Sequence, residues 1–160
     1  MRRFAFLAVC LLLVACNSDG GSKAPSGPDP LVDGGRSAFE AFVAKHRGTP
    51  VVVNKWASWC GPCRAEFSYF GDQATKRKDV VFVGVNSNDN DGDARNFLAD
   101  HPVPYKHFKD PKLEIAAAFN GVQAFPTTAF YDKQGKLVFT HPGGYQSEDQ
   151  LAEDIDRYAR

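Results

Sequence analysis

Cys60 and Cys63 stand two residues apart as Cys60-Gly61-Pro62-Cys63, a spacing at which sulfur can do redox chemistry. Pro62 suits the first turn of a helix, where its missing N–H would have no partner anyway, so the motif is expected to open one. Sulfurs one helical turn apart can close a disulfide with little rearrangement. The unpaired N–H groups and the dipole at that helix end stabilise a thiolate on Cys60. Cys60, exposed at the turn, is then placed to attack an incoming disulfide, and Cys63, less accessible, to resolve the mixed disulfide. Two other uses compete. Half a zinc site would need two further Cys or His ligands, but His46, His101, His107 and His141 are scattered singly and there is no second Cys-x-x-Cys. A purely structural disulfide would close a tiny loop and stabilise little. The balance favours a redox-active disulfide with no metal and no other cofactor.

Such a pair needs a strand to deliver it and a helix to hold it. Val51-Val52-Val53 runs to Trp56 with scarcely a break in hydrophobicity, as in a strand buried on both faces. The helix after Cys60 should carry Phe67, Phe70 and Ala74 inward. Upstream, Ser37-x-x-Glu40 has the spacing of a capping box and predicts a helix to about Lys45. Downstream, Val80 to Val85 reads as a second buried strand, Asn86 to Gly92 as a polar turn, and Ala94, Phe97 and Leu98 as a short helix. Tyr105 to Phe108 is a short strand and Leu113 to Phe119 a helix. Thr127 to Tyr131 and Lys136 to Thr140 form a hairpin around Gly135, and a last helix opens at Ser147. Strand–helix alternation ending in a hairpin and a helix implies a single α/β sheet covered on both faces.

The remaining cysteines belong to an address. Arg2 and Arg3 precede an apolar run from Phe4 to Ala15, too short to span a bilayer and typical of a secretory signal. Leu13-Val14-Ala15-Cys16 resembles the lipobox of bacterial lipoproteins, in which the cysteine becomes the lipidated N-terminus; an ordinary secretory signal or an uncleaved anchor are the alternatives. Residues 1–15 are thus read as signal peptide and 16–33 as a Ser-, Gly- and Pro-rich tether from lipidated Cys16. The chain of 160 residues carries 19 basic and 19 acidic side chains. That balance gives no basic surplus with which to bind nucleic acid.

Residues 34–160 read as the catalytic domain, and here a family resemblance enters. Trp56-Ala57-Ser58-Trp59-Cys60-Gly61-Pro62-Cys63-Arg64-Ala65-Glu66 resembles the active site of thioredoxin-fold proteins of the extracytoplasmic TlpA/ResA/DsbE-like branch. The resemblance implies a thioredoxin-like three-layer α/β fold, a central mixed sheet flanked by helices, with a strand–helix insertion over Val81 to Leu113. It implies a cis-proline at Pro126, within Ala124-Phe125-Pro126-Thr127, facing the cysteines and leaving nearby backbone free to pair with a substrate. Trp59, Gly61, Pro62, Phe125 and Thr127 would frame the site. Asn54 stands where cytoplasmic thioredoxins carry a buried aspartate, and Glu66 matches an acidic residue of the ResA-like group; it either exchanges protons with Cys63 or is a solvated helix residue.

The chain departs from the pattern at Lys55, in place of the usual aromatic residue, and at Ser68, in place of a helix-bending proline. Lys55 is expected to be partly buried with its charge reaching a carboxylate or solvent, or else to lower the thiol pKa.

The function implied is a membrane-anchored, extracytoplasmic thiol:disulfide oxidoreductase. It would act as a monomer on exported protein disulfides, including those of apocytochrome c, with a membrane redox partner recycling the dithiol. An oxidant that introduces disulfides is the alternative direction. A thiol peroxidase or a copper metallochaperone on the same fold fits less well, and a binding module with an incidental Cys-x-x-Cys is the bland alternative.

Overall fold

A computed structural model describes residues 29–160. The signal segment and Cys16 lie outside the described residues. The elements in chain order are β1 (Leu31–Val32), α1 (Gly35–Lys45), β2 (Val51–Trp56), α2 (Gly61–Lys76), β3 (Val81–Ser87), α3 (Asp91–Asp100), β4 (His107–Asp110), α4 (Glu114–Ala118), β5 (Thr127–Tyr131), β6 (Leu137–Pro142) and α5 (Glu148–Tyr158). They form one mixed sheet of order β1-β4-β3-β2-β5-β6. The pairs β1–β4, β4–β3 and β3–β2 are parallel, whereas β5 runs antiparallel to β2 and β6 to β5.

The unbroken apolar run of β2 explains its central place, because only a strand covered on both faces can keep every residue from water. All six of its residues are buried. Val51 and Val53 pack with Phe39 and Val43 of α1 and Ile115 of α4. On the other face, Val52 meets Phe70 of α2 and Leu151 and Ile155 of α5, and Trp56 packs with Phe67, Phe97 and Leu98. The result is a thioredoxin-like three-layer arrangement with β2 pointing its C-terminal end at the cysteines.

Most boundaries differ from the sequence reading by one or two residues, and three changes have a local physical cause. The chain enters α1 through Gly34 and Gly35, both at positive φ, so the helix starts before Ser37 and no side chain caps it. Glu40 pairs with Arg36 at 2.7 Å in place of closing a capping box. The segment read as tether contributes β1, since Leu31 and Val32 align with His107 and Phe108. The strand expected at Tyr105 starts at His107, whose N–H donates to the Pro30 carbonyl at 2.9 Å. It continues to Asp110, whose carboxylate accepts the Ile115 and Ala116 N–H groups at the start of α4.

Candidate active site

Cys60 is the N-cap of α2 and Pro62 lies in the first turn, as the missing proline N–H requires. Cys60 and Cys63 are joined as a disulfide with Cα atoms 5.3 Å apart, and the Cys63 N–H donates to Cys60 Sγ at 3.2 Å. That contact is the helix-end donor that would receive a Cys60 thiolate. Contrary to the expected exposure, Cys60 is only 3% accessible and Cys63 1%, because both pack in a cluster with Trp56 and Phe67, with Phe125 against it. The exposed member is Trp59, at 56%.

The turn after β3 clamps the loop that carries the pair. Asp89 accepts from the Ser58 N–H at 2.5 Å, the Ser58 hydroxyl at 2.7 Å and the Asn86 amide at 2.8 Å. Asn88 adopts φ 49° and its carbonyl accepts the Trp59 indole N–H at 2.9 Å. Sequence reading saw only a polar turn here, since nothing in the spacing links residue 58 to residue 89.

Opposite the cysteines the Phe125–Pro126 bond is cis. The Phe125 ring lies 4.9 Å from that of Trp59, centroid to centroid. The buried Thr127 donates from Oγ1 to the Ala124 carbonyl at 2.8 Å, and the Pro126 carbonyl accepts the Gly143 N–H at 3.0 Å. Among the described residues neither the N–H nor the C=O of Phe125 bonds to another backbone group, so a strand-like pairing edge lies open next to Cys60. Gly144 completes this wall. A Cβ there would meet Glu66 Oε2 at 3.4 Å, Pro126 Cγ at 3.5 Å and Pro62 Cβ at 3.7 Å, so α2, the proline turn and the segment after β6 converge on it.

Glu66, three residues beyond Cys63 and therefore on the same face of α2, is fully buried, which removes the solvated-residue reading. Its Oε2 accepts the Tyr145 N–H at 2.7 Å, while Oε1 has no partner. Burial pushes its carboxyl up to about 8, against the opposing pull of the Tyr145 N–H. At neutral pH it is therefore a protonated acid that can exchange a proton. Tyr145 is braced in turn, its hydroxyl donating to Asp154 at 2.9 Å and its ring stacked on His141 at 4.3 Å.

Asn54 lies on the sheet face that α2 covers. It is aligned with Thr128 on one side and Gly84 on the other, and Gly84 is aligned with His107. The row can form because Gly84 has no side chain: a Cβ there would coincide with the His107 ring. Both amide atoms of Asn54, Thr128 Oγ1 and His107 Nε2 lack partners among the described residues. Trp56 donates its indole N–H to His107 Nδ1 at 3.0 Å, which places the imidazole proton on Nε2. Burial lowers His107 to about 3, keeping it neutral.

Lys55 overturns its expectation. Its side chain is fully buried and reaches neither a carboxylate nor solvent. Nζ donates to the carbonyls of Gly121 at 2.6 Å and Ala124 at 2.7 Å and lies 3.4 Å from the centroid of the Phe125 ring. Burial lowers it to about 8, against the pull of the Asp110 charge. Ser68 falls within the continuous helix α2. Among the described residues no three His, Cys, Asp or Glu side chains are grouped as metal ligands would be, and no helix is long and apolar enough to cross a membrane.

Comparisons with known proteins point the same way as the geometry. The Redoxin family model matches residues 20–155. A Paracoccus denitrificans protein named as a thiol:disulfide interchange protein DsbE homolog is 35% identical over 61% of this chain, which spans about half of that relative, 53% of its length. The thiol-disulfide oxidoreductase ResA of Bacillus thuringiensis is 26% identical over 93% of each chain. Among solved structures, a thiol:disulfide interchange protein DsbE from Chlorobium tepidum superposes with TM-score 0.65 at 32% identity, covering 72% of this chain and 83% of that one. The exposed lipoprotein thioredoxin Etrx1 of Streptococcus pneumoniae gives 0.63 at 29% identity, covering 72% and 89%.

Proposed function

Because this chain belongs to the Redoxin family, as a thioredoxin-like protein of the DsbE/ResA type, we propose that it is a thiol:disulfide oxidoreductase acting on exported proteins through Cys60 and Cys63. The observation that carries the reading is the Cys60–Cys63 disulfide at the start of α2, beside backbone of Phe125 left free to pair with a polypeptide.

In the reducing direction the Cys60 thiolate attacks a sulfur of the substrate disulfide. A mixed disulfide forms and one substrate thiolate leaves. The ionised fraction of Glu66, a minority at neutral pH, takes the proton of Cys63, whose thiolate attacks Cys60 Sγ; the Cys60–Cys63 bond closes and the second substrate thiolate departs. Two electrons pass from the dithiol to the substrate. Trp59 and Phe125 form the apolar wall against which the substrate segment lies, and the reverse sequence would oxidise a substrate dithiol.

The direction we favour is reduction, supported by the Gly61-Pro62 dipeptide that this chain shares in kind with reducing thioredoxins. Apocytochrome c is among the substrates this reading includes, and a membrane dithiol donor would restore the reduced state. The lipobox-like Leu13 to Cys16, and the lipoprotein nature of one structural neighbour, support a chain tethered to the outer face of the cell membrane through Cys16.

Expression of Cys63→Ala in the native cell, with identification of whatever stays covalently bound to Cys60, tests the reading together with the midpoint potential of the wild type. Captured exported proteins and a potential near that of reducing thioredoxins support it. A strongly oxidising potential would reverse the direction, and no captured protein would remove the substrate assignment.

A further inference from the structure

We propose that Lys55 is a positioning residue for substrate capture. It is a buried cation that holds the Gly121–Phe125 segment, and with it the Phe125 ring and the open backbone edge, in the arrangement on which a partner polypeptide docks. The inference rests on the oxidoreductase reading above.

An ammonium taken out of water is costly unless its donors are engaged. Here the Gly121 and Ala124 carbonyls, at 2.6 and 2.7 Å, and the face of Phe125, at 3.4 Å from its centroid, engage them. The segment so held joins α4 to β5 and belongs to no helix or strand. Apart from those of Lys55, its hydrogen bonds among the described residues are the Gly121 N–H to the Ala116 carbonyl at 2.8 Å and the Thr127 hydroxyl to the Ala124 carbonyl at 2.8 Å. Neither fixes the Phe125 ring. Lys55 lies against its face, and the ring also meets Trp59 at 4.9 Å.

Strand alternation sends Lys55 to the sheet face of Val51 and Val53. Trp56, which packs with both cysteines, points to the opposite face. Lys55 therefore reaches the substrate wall from behind, and its effect falls on capture of a polypeptide in preference to the chemistry of the dithiol. Preorganising a binding edge lowers the cost of ordering it when the partner arrives.

Steady-state reduction of insulin by the purified protein tests this with Lys55→Met, which keeps the side-chain length and removes the charge. The expected result is a KM for insulin raised roughly fivefold or more, with kcat and the rate of disulfide reduction by dithiothreitol each within about twofold of wild type. Backbone hydrogen exchange should quicken over residues 121–126. Phe125→Leu should raise KM as well, and the double variant should be within about twofold of the worse single one, since both act through one contact. An unchanged KM overturns the proposal, as does an equal fall in kcat and in the dithiothreitol rate, or full additivity in the double variant. If Lys55→Met fails to fold, Lys55→Leu is read in its place: a raised KM with kcat and the dithiothreitol rate unchanged supports the proposal, and an unchanged KM overturns it. A wild type that never reduces insulin overturns the functional reading and this inference with it, whereas normal wild-type turnover with unchanged KM in the variants overturns the inference only.

Discussion

Glu66 and Tyr145, 79 residues apart in the chain, are joined by a hydrogen bond of 2.7 Å from the Tyr145 N–H to Glu66 Oε2. A carboxyl one helical turn from Cys63 is thereby fastened to the segment that follows β6. Oε1 is buried with no partner among the described residues, and burial outweighs the Tyr145 donor and raises the carboxyl to about 8.

A raised carboxyl pKa has a definite sign in stability. Glu66 titrates at about 8 in the folded chain against an ordinary value of 4.5. Between those values the unfolded chain has lost a proton that the folded one keeps. Its stabilising contribution is therefore complete below 4.5 and lost as pH rises through 8, at about 1.4 kcal/mol per pH unit. Denaturation of the oxidised protein should show wild type losing stability relative to Glu66→Gln between pH 5 and 8 and running parallel to it above. A difference that stays flat across that range would refute the buried, protonated acid.

The same substitution reaches the chemistry. With no ionised carboxyl to take the Cys63 proton, resolution of the mixed disulfide should slow on the order of 10²-fold near pH 8, where Glu66 is about half ionised, while formation of the mixed disulfide at Cys60 changes little. Rapid-quench trapping separates the two steps. Equal slowing of both would make Glu66 a structural residue only.

Asp89 holds the loop before Cys60 by accepting from Ser58 twice and from Asn86. Asp89→Ala leaves those donors without their acceptor and should cost about 1–3 kcal/mol of stability, with faster backbone exchange at residues 57–60. Denaturant midpoints check it, and a change below about 0.5 kcal/mol would mean that water replaces the carboxylate without loss.

Gly84 is required by the ring of His107, which occupies the place of a side chain. Gly84→Ala should destabilise the fold by about 1–3 kcal/mol through overpacking, and adding His107→Ala should recover part of the loss. Thermal unfolding of the two variants decides, with no recovery in the double variant counting against the row of aligned residues.

How far the sequence announces this structure depends on how far apart the interacting residues lie in the chain. Cys60, Pro62, Cys63 and Glu66 are neighbours on one strand–helix junction, so their relation follows from local spacing and helical periodicity. The apolar run of β2 announces its central place for the same reason. The partners of Lys55 are backbone carbonyls 66 and 69 residues away, and backbone groups leave no mark in a side-chain pattern. Ser58 and Asp89 likewise meet only because β2 and β3 lie side by side. A strand as short as Leu31–Val32 has no periodicity to read, and positive φ at Gly34 and Gly35 displaces a capping box whose spacing is otherwise correct.

The central claim, that Cys60 attacks and Cys63 resolves, is tested most directly by mixing the reduced protein with a protein disulfide and mapping the covalent products. The account predicts that wild type ends with a Cys60–Cys63 disulfide and a fully reduced substrate, that Cys63→Ala stops at a one-to-one adduct linked through Cys60, and that Cys60→Ala forms no adduct. An adduct through Cys63, or turnover that survives Cys60→Ala, would contradict it.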